Sequence, residues 1–544
     1  MKYLCKFIFL LLFLVGLTNS YASLPASEVR TQLDENVKWM NTLPTTTDGM
    51  DIVIICANQP VLAQYWEKRL QKTGPYLLSP HALVICVDED WASGGAGNGL
   101  GTLYAYEKAR AKALDQWGID ILQKQAEGAA VAIYHTAGQG KRLAPLTISE
   151  SGIKSAVKLP GLILPLSSDY PDVLFMTLLE ATIKQSAIFA LSRKGRLSVF
   201  WSDQVFIPSK SPIYIPDSHI DIHVKRIPLP SQDSWQQQGL DNYGILAWDK
   251  SGEAELFDKC SYQTLKNIFL ENETISQEDL GISMGTFSLS TAMIIALLDE
   301  FAPELNEKKV LLDSDPYFWM PLTLDLKTYT SAMHARKVPI EFIHSHYERM
   351  QNFKKRFKEK NPTDLKFFGA VDIGRDSYWW DYGTVDAYYR NNIKMTQAGD
   401  EGELMRKFYH IEKIENSPQT EVNVQNSAVI GSHIKQGLVK NSLVIGVSAD
   451  SIQVENSIMI NSAVKIWKMN HSLAYCIQEE ETTHLEPHYV RVDAFIPALS
   501  QHLKLQSMLD SDGKANWKTR LFSNIYSWEE AVELVSKYTP YSSN

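Results

Sequence analysis

The sequence predicts an α/β fold. A Rossmann-like domain with a mostly parallel sheet comes first, followed by a parallel β-helix and a small C-terminal α+β tail. Three observations carry this. Short, continuously apolar runs alternate with helical patterns through the front of the chain, the texture of strands covered on both faces of a parallel sheet. Further on, Ser followed by apolar residues recurs at a fixed interval, at Ser427, Ser442, Ser457 and Ser472. Finally, 544 residues exceed what one core usually organises.

The first segment reads as a targeting signal. Lys2 and Lys6 flank the start of an apolar run over 7–17, and Ser20-Tyr21-Ala22 follows as a small-x-small site. That order is the order of a secretory signal, so 1–22 is expected to be removed and the protein exported or secreted. The run is short for a bilayer span, so no stable membrane insertion is expected after cleavage. A retained membrane anchor is the alternative.

A polar helix over 27–40 and a Thr-rich connector come next. Runs at 51–56, 82–87 and 129–134 read as strands, separated by helical patterns at 60–72 and 103–117. Further strands are expected near 197–201 and 367–373. Together 23–400 form the first domain, with 401–420 as a linker. Over 421–480 the fixed repeat, with Asn426, Asn441 and Asn456 each preceding its Ser, fits stacked coils with tight corners. An ordinary β-sandwich with accidental regularity is the alternative. The tail, 481–544, mixes strand and helix and ends in a helix over 527–538.

Composition narrows the function. Apolar residues make up 44% and charged residues 21%, ordinary for a globular protein. A net charge of −10 without long like-charge blocks gives no support to a nucleic-acid partner, yet a few local Lys and Arg suffice for a phosphate ligand. Cys56, Cys86, Cys260 and Cys476 lie far apart with no C-x-x-C pair, so neither a zinc site nor a disulfide framework is indicated.

The strongest chemical signal begins directly after the third strand: His135-Thr-Ala-Gly-Gln-Gly-Lys-Arg-Leu-Ala-Pro-Leu-Thr147, then Lys154 and Lys158-Leu-Pro160. A small-residue loop at the end of a parallel strand brings backbone N–H groups against phosphate or a base edge. Gly138 and Gly140 permit that approach. Arg142 and Lys154 then supply charge for phosphate oxygens. Asp203 ends a strand-like run, and Asp381 stands in Trp379-Trp-Asp-Tyr-Gly-Thr384. Taken singly, Asp203 also reads as a helix cap or turn residue.

This constellation resembles the sugar nucleotidyltransferase superfamily, whose loop reads Leu-Ala-Gly-Gly-x-Gly-Thr-Arg-Leu-x-Pro-Leu-Thr. Gly138, Gly140, Arg142, Leu143, Pro145, Leu146 and Thr147 agree with it, and Thr136, Ala137 and Lys141 depart. A narrower resemblance, over nearly the whole chain after the signal, is to the GDP-fucose pyrophosphorylase (fucose-1-phosphate guanylyltransferase) family without its kinase domain. The segments that carry it are Gly97-Asn-Gly-Leu-Gly-Thr-Leu103, the 135–142 loop, Lys154 with Pro160, Asn242-Tyr-Gly-Ile245 with Lys259, and Asn516-Trp-Lys-Thr-Arg-Leu-Phe522.

The resemblance implies a nucleotidyltransferase that makes an NDP-sugar and pyrophosphate from a nucleoside triphosphate and a sugar 1-phosphate, with GTP and fucose 1-phosphate as the favoured pair. It implies Arg142 and Lys154 as catalytic residues, and Gly97, Gly99, Gly138 and Gly140 as nucleotide-binding. Asn242, Gly244 and Lys259 become substrate-binding, and Asp203 and Asp381 the ligands of a Mg²⁺ cofactor. Self-association through the β-helix is a further expectation. The alternative is a catalytically degenerate nucleotide- or sugar-phosphate-binding protein, such as a secreted effector acting in another cell.

Overall fold

In the apolar run Ile52–Ala57 every residue is buried, because alternate side chains enter two different cores. Val53, Ile55 and Ala57 pack with Trp66 and Leu70 of the helix Pro60–Thr73. Ile52, Ile54 and Cys56 pack with Leu103 and Tyr106 of the helix Gly97–Trp117. The computed structural model describes residues 25–538 except 92–93, 139, 164–173, 250–251, 272–278, 413 and 419–420. The expected signal peptide, 1–22, lies outside the described residues.

Around this strand the sheet is parallel. Leu83–Asp88 and Val131–His135 flank it, and Arg196–Trp201 pairs with the latter. Beyond Trp201 the direction changes. Asp279–Ser290 runs antiparallel to Arg196–Trp201, to Ser218–Pro228 and to Gly244–Trp248. Gly244–Trp248 in turn forms a hairpin with Ala254–Asp258 at the sheet edge. Lys366–Asp372 adds on parallel to Ser218–Pro228. The expected parallel character therefore describes the half of the sheet built from the first βα units, and the other half is mixed. Antiparallel partners need no helical crossover, which is why the βα alternation fades from the sequence there.

The C-terminal sheet is of another kind. Its strands pair in parallel with the chain fifteen residues further on, as in Ala428 with Leu443, Leu443 with Ile458, and Ile458 with Leu473. Ser427, Ser442, Ser457 and Ser472 are fully buried and form a row. The backbone N–H of each of the last three donates to the hydroxyl of the serine before it, at 3.0, 3.0 and 3.1 Å. Asn426, Asn441 and Asn456 adopt left-handed φ of 47, 48 and 47°, the corner conformation Asn tolerates. Their side-chain amides also hydrogen-bond along the stack.

This stack shares a core with the front of the chain. Leu443, Ile445, Ile458, Ile460, Leu473 and Tyr475 belong to the same buried cluster as Tyr134, Leu143 and Ile153, whereas Val444, Met459 and Trp467 fill a core of the stack's own. The stretch expected as a linker, 401–420, opens inside the helix Asp400–Phe408, which buries Leu404, Met405 and Phe408. Tyr489–Ile496 and Gln501–Met508 follow as an antiparallel pair, and Trp528–Tyr538 is helical. Among the described residues no helix is long and apolar enough to cross a membrane.

Candidate active site

The parallel strands end together, at Ala57, Asp88, His135 and Trp201, and the candidate residues gather at that edge. The loop after His135 is pinned where it begins. Both the N–H and the hydroxyl of Thr136 donate to the Cys56 carbonyl, each at 2.9 Å. The threonine that departs from the superfamily pattern thus ties the loop to the neighbouring strand. His135 stacks on Trp201 with centroids 4.7 Å apart, and its Nε2 lies 2.8 Å from the Thr102 hydroxyl. That hydroxyl donates to the Asn98 carbonyl, so Nε2 carries the proton towards Thr102. Burial lowers the His135 pKa to about 4, which leaves the ring neutral at neutral pH.

Further along, Gly138 (φ 118°) has open space where a Cβ would stand. Gly140 (φ 56°) has none: a Cβ there would lie 2.8 Å from Lys154 Cβ and 2.8 Å from Thr147 Cγ2. Glycine at 140 therefore lets the loop lie directly on Lys154. The Lys154 ammonium donates to Asp203 Oδ2 at 2.7 Å.

Asp203 and Asp381 come together through a two-stranded pairing. Gln204–Ile207 runs antiparallel to Tyr378–Asp381 with Gln204 opposite Asp381, and the Tyr382 N–H donates to the Asp203 carbonyl at 2.8 Å. Asp381 Oδ1 accepts the Gly383 N–H at 2.7 Å, and Oδ2 accepts the Tyr243 hydroxyl at 3.2 Å. A Cβ at Gly383 would stand 2.9 Å from Asp381 Oδ1 and 3.5 Å from Arg142 Nη2, so this glycine marks where the guanidinium nears the carboxylate.

The two carboxylates are tuned in opposite directions. Burial pushes Asp203 up, but Lys154 and Arg142 outweigh it and hold the group below its ordinary value. Burial and then the charge of Asp203 raise Asp381, and Gly383, Tyr243 and Arg142 offset this only in part. A pair of neighbouring carboxylates, one of them uncomfortable when ionised, suits a hard divalent cation. Mg²⁺ fits this donor set. Among the described residues no cluster of three or more His, Cys, Asp or Glu is arranged to hold a metal. A magnesium ion held by one or two carboxylates plus substrate phosphates needs none.

No family model matches the chain, and no curated protein matches it. The residues themselves carry the functional reading.

The other expected residues are placed differently. Gly97 and Gly99 lie in the first turns of the helix Gly97–Trp117, which starts well before the helical pattern at 103–117. The donors of that turn are already taken: Asn98 N–H bonds Asp313 Oδ1 at 2.9 Å, and the Gly99 and Leu100 N–H groups bond the Leu312 carbonyl at 3.0 and 3.2 Å. A Cβ at Gly97 or Gly99 would strike the Leu312 backbone at 2.7 or 2.8 Å. These glycines admit a crossing protein segment, and the helix N-terminus offers those three donors to the chain itself rather than to a nucleotide.

Asn242 donates to the Gly239 carbonyl at 3.2 Å and is exposed. Gly244 pairs with Asp258, and the Lys259 N–H donates to the Tyr243 carbonyl at 3.1 Å. What reaches the carboxylates from this segment is Tyr243, which sequence reasoning misses although it lies between two residues singled out above. Its ring also meets Trp379 edge-on, with centroids 4.9 Å apart. A tyrosine directly before a strand carries no signal of its own; only the pairing with Asp381 reveals its part.

Proposed function

We propose that this chain is a sugar-1-phosphate nucleotidyltransferase, converting a nucleoside triphosphate and a sugar 1-phosphate into an NDP-sugar and pyrophosphate. The observation that carries the reading is the meeting of Arg142, Lys154, Asp203 and Asp381 at one sheet edge, from three separate segments. Ligands of open α/β sheets bind at that edge. A sugar phosphate oxygen attacks the α-phosphorus and pyrophosphate leaves, chemistry that depends on positioning and charge neutralisation more than on a protein nucleophile.

Arg142 would bind the triphosphate, and Lys154, released from Asp203, would meet the α-phosphate or the sugar phosphate. Tyr243 and the Gly383 N–H orient Asp381. Asp203 and Asp381 would hold Mg²⁺, whose contribution there would be neutralisation of phosphate charge. GTP and fucose 1-phosphate remain the favoured pair by resemblance. We read the fifteen-residue stack as a parallel β-helix, supported by its parallel pairing and its serine and asparagine rows. Export through the 1–22 signal stays part of the proposal.

A degenerate binding protein is the second reading. It is favoured by the Lys154–Asp203 ion pair, which occupies both a phosphate-binding cation and a metal ligand. A pyrophosphate-release screen crossing the four common nucleoside triphosphates with a panel of sugar 1-phosphates separates the two. Turnover that falls in Arg142→Ala, by roughly 2–4 kcal/mol of transition-state stabilisation, and in Asp203→Asn supports the enzyme. Triphosphate binding without pyrophosphate release supports the binder. If both variants turn over like the wild type, this edge of the sheet is not the active site.

A further inference from the structure

The C-terminal tail holds the loop that carries both candidate phosphate-binding cations, and it does so at both ends. At the first end, Gly513 lies against Lys141 and Arg142. A Cβ at Gly513 would overlap the Lys141 carbonyl oxygen, and would stand 3.3 Å from the Lys141 carbonyl carbon and 3.5 Å from Arg142 Cα. The Lys141 ammonium sits 4.9 Å from the ring centroid of Trp517, a cation–π distance, and Trp517 is itself buried. At the second end, a Cβ at Gly152 would lie 3.0 Å from Val532 Cγ1, and the Ser536 hydroxyl donates to the Ser151 carbonyl at 3.4 Å. Arg142 and Lys154 thus each lie within three residues of a tail contact.

The two arms of the tail are tied into one unit. Arg520 pairs with both carboxylate oxygens of Glu530 at 3.0 and 2.6 Å. The Glu529 N–H donates to the Trp517 carbonyl at 3.1 Å, and the Ser527 N–H donates to Glu530 at 2.8 Å. Trp517 and Trp528 anchor the unit in the same core as Leu143 and Ile153 of the loop. A loop at a strand end has few partners of its own and opens easily. Here a segment remote in sequence supplies them.

We infer that residues 513–536 act as a clamp on the 136–154 loop, and that Gly513 and Trp517 are positioning residues for Arg142. The clamp stands on contacts within the chain; only its consequence for ligand affinity rests on the functional reading above. Gly513 is a clean probe, because its φ lies outside the left-handed region and the three atoms nearest an alanine Cβ there all belong to the loop it faces.

The test measures hydrogen exchange of the 136–154 loop and of the strand Ile52–Ala57 in the full chain, without ligand, for wild type, Gly513→Ala, Trp517→Leu and Trp517→Phe. Loop exchange should rise about tenfold or more in Gly513→Ala and Trp517→Leu, with the strand unchanged. Trp517→Phe, which keeps an aromatic face under Lys141, should stay within about twofold of wild type. Loop exchange equal to wild type in Gly513→Ala overturns the clamp, and so does a rise shared by the strand, which reports general loosening. Titration of the same proteins with magnesium and each of the four nucleoside triphosphates reads the consequence. A wild type that binds none of them counts against the functional reading and leaves the exchange result to decide the clamp.

Discussion

The ammonium of Lys154 and the carboxylate of Asp203 meet at 2.7 Å, with about one-fifth of each side chain exposed. Asp203 lies below its ordinary value of 3.8 because Lys154 and Arg142 outweigh burial. A depressed carboxyl contributes stability that is present above its unfolded value and is lost as pH falls through the folded one. Lys154→Met should therefore lower stability at neutral pH by about 1.5–3 kcal/mol. The gap to wild type should narrow as pH falls, because Asp203, without Lys154 to offset its burial, takes up a proton in the variant before it does in wild type. Urea unfolding of both proteins along a descending pH series checks this, and a gap that is absent at neutral pH removes the ion pair from the account.

Asp381 behaves in the opposite sense. Its folded value is raised above 3.8, by burial and then by Asp203, so the ionised group is a burden that a proton or a cation relieves. In metal-free buffer at neutral pH, Asp381→Asn should melt at or above the wild-type temperature, because the amide oxygen still accepts the Gly383 N–H. The stabilisation that Mg²⁺ gives wild type should vanish in the variant. In wild type it should weaken as pH falls towards the raised Asp381 value, where protons compete for the carboxylate. Calorimetric melting with and without Mg²⁺ reads all of these; a variant that keeps the Mg²⁺ shift would place the ion elsewhere.

Gly140 and Gly138 separate two effects of a side chain in the loop. Both have positive φ, but only at Gly140 would a Cβ press on Lys154 and Thr147, at 2.8 Å from each. Gly138→Ala should cost about 1–3 kcal/mol from backbone strain alone. Gly140→Ala should cost more and also displace Lys154 from Asp203. Thermal melts rank the two, and equal costs would show that the contact with Lys154 gives way freely.

The serine row offers a test remote from the site. Ser457→Ala leaves the buried Ser472 N–H without its acceptor and removes the hydroxyl donated to the Glu455 carbonyl. A loss of about 1–3 kcal/mol is expected, measured by chemical denaturation. A neutral outcome would mean that the stack relaxes around the missing hydroxyl.

Much of the architecture was legible in the sequence, because local rules write it. Apolar runs such as 51–56 announce strands buried on both faces, and the interval from Ser427 to Ser472 announces parallel stacking. Gly138, Gly140 and Arg142 announce a special loop by composition alone. Each of these follows from periodicity or from backbone freedom within a few residues.

The tertiary structure decided what those residues touch. Asp203 meets Asp381 only because Gln204–Ile207 pairs with Tyr378–Asp381, and no local pattern specifies that partner. The resemblance implies nucleotide binding at Gly97 and Gly99, whereas the fold gives the first donors of their helix to the Leu312 carbonyl and Asp313. Tyr243 was inconspicuous until its hydroxyl reached Asp381, and nothing about Gly513 foretold its contact with Lys141 and Arg142. The sequence by itself determined the elements and the unusual loop, since these depend on neighbours along the chain. The folded chain alone decided which charges meet and which donors are already spent, since those depend on neighbours across it.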